Sequence, residues 1–95
     1  MTRILKFPLI AVEAQVIDMP EGASPLSVIP QYDRPTLYVS APVPAADAAI
    51  HMVPRTVFVI ATGEDHPLPY DWFVGTVAVQ SGTRVWHVFV RPEAT

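Results

Sequence analysis

The chain has 95 residues, 51% of them hydrophobic and 16% charged, and a net charge of −3, which describes one small domain with a modest core and an unusually apolar balance. Its basic residues Arg3, Lys6, Arg34, Arg55, Arg84 and Arg91 are scattered, which excludes the phosphate-tracking stripe of a nucleic-acid binder. No cysteine is present, so disulfides and thiolate chemistry are excluded as well.

In chain order, the segment 2–9 (TRILKFPL) reads as a first strand, with Pro8 at an edge or at the strand's end because it has no amide to donate. Residues 14–19 (AQVIDM) read as a second, and Asp18 gives it one wet face. A turn cluster over 20–25 leads to a third strand over 26–31 (LSVIPQ), where Pro30 again indicates an edge or a bulge. A turn over 32–35 precedes a fourth strand at 36–41 (TLYVSA). The stretch 42–54 (PVPAADAAIHMVP) is alanine-rich and bracketed by prolines; it is expected as a long loop with at most one helical turn over Ala45–Ile50. Residues 55–62 (RTVFVIAT) are apolar enough for a central fifth strand, and Gly63–Tyr70 is a loop of turn formers.

The clearest signal is the C-terminal stretch DWFVGTVAVQSGTRVWHVFVR. Aromatic and β-branched residues from Trp72 to Val79 and from Val85 to Val90 suit two strands. A turn at Ser81-Gly82 pairs Val79 with Arg84, Val77 with Trp86 and Gly75 with Val88. Phe73, Val77, Val79, Trp86, Val88 and Val90 then share one face, with Trp72, Val74, Thr76, Ala78, Val85, His87 and Phe89 on the other. Both faces are largely apolar, so both are expected to be covered, by a second sheet or by another subunit.

The expected fold is therefore all-β: an antiparallel β-sandwich or partly open barrel of about seven short strands in a single domain over residues 1–95. Eleven prolines suit a fold with many edges and corners. The low charge leads to the expectation of a homo-oligomer that buries apolar surface. Lys6, Pro8 and Glu13 interrupt the N-terminal apolar run, so no signal peptide is expected there. No stretch reaches the roughly 18 apolar residues of a membrane span. The expected location is the cytoplasm, with no membrane partner.

The segments ILKFPL, MPEGASPLSV, ATGEDHPLP, FVGTV and VWHVF occur in this order. In that order and spacing the chain resembles a group of small proteins encoded largely by phages and prophages and classed as a domain of unknown function. In that group the loop after the fifth strand usually reads Gly-Thr-Gly-His-Pro-Ile-Pro; here it is Ala61–Pro69, with two extra acidic residues, Glu64 and Asp65, before His66. The resemblance implies a phage accessory gene product and supplies no catalytic residues.

Three groups of side chains stand out. Glu64, Asp65 and His66 lie together beside prolines, where the histidine either binds a ligand or metal or bonds a loop backbone carbonyl. His87 lies mid-strand opposite Thr76, lining a pocket with Trp72 or satisfied by a neighbour in a core or interface. The aromatics Tyr32, Tyr38, Tyr70, Trp72 and Trp86 are the third group: Trp72 and Tyr70 are able to stack on a base if Arg84 or Arg34 stands near enough to hold its phosphate; otherwise these are core and interface rings. His51, His66 and His87 have no metal-ligand spacing, and no serine lies in a nucleophile-elbow motif. No cofactor or metal is expected. The function expected is binding without catalysis, by a homo-oligomer that sequesters a small nucleotide-like ligand or blocks a host protein in counter-defence. The alternatives are an assembly module of a phage particle and, further off, a small hydrolase using Glu64, Asp65, His66 and His87.

Overall fold

A computed structural model describes residues 1–46 and 48–93. Seven strands follow one another: β1 (Thr2–Pro8), β2 (Ala14–Pro20), β3 (Ser24–Gln31), β4 (Arg34–Pro42), β5 (Met52–Ala61), β6 (Phe73–Val79) and β7 (Arg84–Val90). They form two antiparallel sheets, one of three strands in the order β1-β4-β3 and one of four in the order β2-β5-β7-β6. No closed barrel results, and the all-β sandwich is as the alternating sequence indicates. Alternation with period two explains the core. Leu37, Val39 and Ala41 of β4 face Val57 and Val59 of β5, Val77 and Val79 of β6, and Val88 and Val90 of β7.

The prolines sit where a missing amide is tolerated. Pro8, Pro20, Pro25 and Pro30 all lie on edge strands. Pro54 lies on the central strand β5, but ahead of Val57, where the ladder to β7 begins. A helical turn is found at Tyr70–Trp72. Asp47, within the expected turn Ala45–Ile50, lies outside the described residues; on either side of it, Ala48 N–H donates to Ala45 O at 2.9 Å.

The C-terminal hairpin has the expected register, with Val79 opposite Arg84, Val77 opposite Trp86 and Thr76 opposite His87. Its turn is longer than expected. Gln80, Ser81 and Gly82 all take positive φ, at 52°, 56° and 84°, and Gly82 N–H donates to Val79 O. Widening the loop by one residue on each side keeps the parity, so no strand residue changes face. A bulge between Phe73 and Gly75 does change two assignments: Phe73 pairs with Phe89 on the outer face and Val74 packs against the core, the reverse of the simple alternation. Gly75 permits the bulged strand to pass close to the other sheet, since a Cβ there would lie 3.1 Å from Val28 Cγ1.

Candidate functional site

The inner face of the four-stranded sheet is covered by the second sheet. Its outer face is covered in part by the chain's own 63–72 segment, and Ile60 is left 2% and Phe89 5% exposed. Short-range bonds shape this segment. Ala61 N–H donates to Glu64 Oε1 at 2.8 Å, Leu68 N–H donates to His66 Nδ1 at 3.1 Å, and Trp72 N–H donates to Pro69 O at 3.1 Å. His66 therefore does bond the loop backbone, but it accepts from an amide and does not donate to a carbonyl.

The segment sets a run of rings against the sheet. His66 lies 4.9 Å from Phe89, Phe73 meets Phe89 edge-on at 5.4 Å, and Tyr70 stacks on Phe73 at 6.1 Å between centroids. With Leu68 and His87 they line an open hollow of about 370 Å³. His87 is held by two hydroxyls, Thr62 Oγ1 at 2.8 Å from Nε2 and Thr76 Oγ1 at 2.9 Å from Nδ1. A neutral ring meets both by donating to one hydroxyl and accepting from the other.

Trp72 does not line this hollow. It stacks on Phe58 at 6.2 Å, and the Arg91 guanidinium lies 5.4 Å from its ring centre and 5.8 Å from that of Phe58. Asp65 is exposed in the loop and lines neither concavity. Trp86 and Arg84 face the opposite way from His87, toward the space between the sheets. They line a second open groove, of about 440 Å³, with Arg34, Asp33, Gln80 and Leu9. Asp33 Oδ1 accepts the Gln80 amide at 2.6 Å and ties the β3–β4 turn to the β6–β7 turn.

The residues singled out in the sequence thus fall into three places. His66, Tyr70 and His87 meet in the aromatic hollow. Arg84 and Trp86 meet in the groove, where Arg34 joins them. Trp72 pairs with Arg91, which sequence reasoning missed, since nothing local ties the residue after β7 to a ring on the 63–72 segment. Phe73 and Phe89 were also missed as hollow residues, because the bulge that turns Phe73 outward has no local signature.

A family model described as a domain of unknown function, DUF7352, matches residues 1–95. The chain belongs to the DUF7352 family. No curated protein and no solved structure matches it. What this DUF7352 chain can do chemically follows from its own side chains. Glu64, His66 and His87 are engaged in the local hydrogen bonds just described. Among the described residues no three His, Asp or Glu side chains are grouped to hold a metal ion, and no helix is long and apolar enough to cross a membrane.

Proposed function

We propose that the protein is a non-enzymatic accessory protein of phage type that works by occupancy in the host cytoplasm. It assembles as a homo-oligomer and either sequesters a small nucleotide-like ligand or blocks a host protein, a role suited to counter-defence. The observation that carries this reading is the pair of open concavities, about 370 and 440 Å³, that set rings beside polar or cationic side chains. Both lie within the roughly 300–1,000 Å³ of small-molecule sites. The phage origin rests on the resemblance in the order of the sequence motifs.

A second reading, an assembly module of a particle, is favoured by exposed aliphatic side chains on the edge strands β1 and β2 and on the link between them. Ile4 of β1 is 65% exposed and Val16 of β2 66%, and Ile10 and Val12 of the link between them are also exposed. The hydrolytic reading has Glu64 and both histidines spent on local bonds, and it is set below the other two.

Native mass spectrometry of protein purified from cells, with denaturing mass spectrometry beside it, tests these readings. An oligomer carrying an extra few hundred daltons per site supports the ligand sponge. An oligomer without added mass moves the weight to a blocked protein or to assembly, which pull-down and copurification with particles separate. A monomer with neither ligand nor partner overturns the proposal.

A further inference from the structure

We propose that the groove at the mouth of the sandwich binds a nucleotide-type ligand, a planar aromatic ring carrying phosphate, with Trp86 against the ring and Arg34 and Arg84 on the phosphate. The inference rests on the occupancy reading above and assigns it a place and a ligand chemistry.

Alternation along β7 puts Arg84 on the same face as Trp86 and Val88. That face runs into the core, with Val88 fully buried, Trp86 partly buried and Arg84 exposed at the open end. An inward-facing cation at the end of an apolar stripe therefore stands at the entrance between the sheets. Arg34 reaches the same groove from the other sheet, directly after the Tyr32-Asp33 turn. Two guanidiniums from separate sheets thus flank a floor made of Leu9, Pro35 and Val79. Their planar forks match phosphate oxygens in pairs, which an ammonium does not.

The charge balance agrees. The groove holds two arginines and one carboxylate, Asp33, a local balance of 2 − 1 = +1 in a chain whose net charge is −3. That carboxylate is already engaged by the Gln80 amide. A neighbouring concavity lined by Lys6, Tyr32, Asp33 and Arg34 has the same balance, 2 − 1 = +1, but there Lys6 Nζ already donates to Gln31 Oε1 at 3.1 Å and one of the two cations is a lysine, which has no fork. The aromatic hollow is lined by no arginine or lysine. The cavity beside Arg55 also contains Asp71, and the Arg55 donors are directed at the carbonyls of Ala23 and Arg91. Only the mouth groove, among the described residues, joins a ring to two arginines.

The test uses the full chain carrying Trp72→Phe, which leaves Trp86 as the single tryptophan of the two in the sequence. Its fluorescence is titrated with AMP, ATP and inorganic phosphate. The expected result is a saturable change with a nucleotide, binding weaker by about tenfold or more with phosphate alone, and a loss of about tenfold or more in Arg34→Gln/Arg84→Gln. Arg84→Lys, which keeps the charge and removes the fork, is expected to fall between the two. Both arginines are exposed, so a thermal melt close to wild type confirms that the variants fold. No saturable change up to millimolar nucleotide, binding that survives the double substitution, or phosphate binding as tightly as ATP would each overturn the inference. Native mass spectrometry of the double variant separates this failure from that of the occupancy reading. A ligand mass retained without the arginines leaves occupancy standing and places the ligand elsewhere; a mass lost with them supports the groove.

Discussion

Arg55 is an arginine at an inward-facing position of β5, only 5% exposed. Its Nε donates to Arg91 O at 3.1 Å and its Nη1 to Ala23 O at 2.9 Å, so one side chain joins β5 to the end of β7 and to the β2–β3 turn. Buried polar groups that lose their partner cost about 1–3 kcal/mol each. Arg55→Ala strands two carbonyls and removes the packing of the stem, and is expected to lower stability by about 2–4 kcal/mol in urea unfolding. A change under half a kilocalorie would show that water replaces the side chain. Gly75 makes the opposite kind of constraint. Its missing Cβ is what lets β6 pass Val28, which is 6% exposed and has little room to yield. Gly75→Val is expected to cost about 1–3 kcal/mol by overpacking, despite the better strand propensity of valine. Unfolding at an unchanged denaturant midpoint would mean that the two sheets adjust freely at this point.

At the level of elements, the β3–β4 hairpin turns through Tyr32 and Asp33, with φ of 52° and 58°. Two-residue hairpin turns need positive φ at both positions, which asparagine and glycine accept more readily than tyrosine. Tyr32 is 94% exposed and gains little from burial in return. Tyr32→Asn is therefore expected to stabilise the protein by about 0.5–1 kcal/mol, read as a higher melting temperature. A lower melting temperature would assign the tyrosine ring a packing role that its exposure argues against. Asp33 is different, because its carboxylate holds the Gln80 amide of the neighbouring turn. Asp33→Ala loses a charge-assisted bond and puts a less tolerant residue at positive φ, so a loss of about 1–2 kcal/mol is expected. Asp33→Asn keeps the turn conformation and an acceptor, and should cost less than half as much; equal losses would mean that charge dominates.

For the molecule as a whole, β3 packs beside β6 and leaves β1 and β2 as the edges on the far side. The radius of gyration is 13.9 Å, against about 12 Å for a compact domain of this length, and the extents are 46 × 29 × 18 Å. A flat, somewhat extended sandwich has more surface to cover; Ile4 of β1 is exposed on the outer face of one sheet, Val16 of β2 on the outer face of the other, and Ile10 and Val12 in the link between these strands. An association of copies through β2 would cover its unpaired edge and Val16. Sedimentation of the wild type is expected to show an oligomer at micromolar concentration. Val16→Lys, which adds a charge to the outer face of β2, is expected to shift it toward monomer without lowering the monomer's unfolding midpoint. A wild type that stays monomeric as concentration rises removes the homo-oligomer from the proposed function.

The sequence by itself determined the strand count, the edge positions of Pro8 and Pro30 and the pairing of β6 with β7. These follow from period-two alternation and from turn residues, which act over a few positions. The pairing was robust even to a misjudged turn, because widening the loop at Gln80 and Thr83 together preserves every opposite pair. Alternation on β7 also placed His87 on one face and Arg84 and Trp86 on the other. Tertiary structure alone decided where those side chains meet. The bulge that turns Phe73 outward depends on how closely β6 approaches Val28 across the sandwich. The 63–72 segment lies on the outer sheet because Ile60 and Phe89 leave apolar surface there to cover. Arg34 and Trp86 line one groove because the ends of two sheets converge, and Arg91 reaches Trp72 because that same segment crosses the end of β7. Each of these depends on surface matched between segments far apart in the chain, which no local pattern of residues encodes.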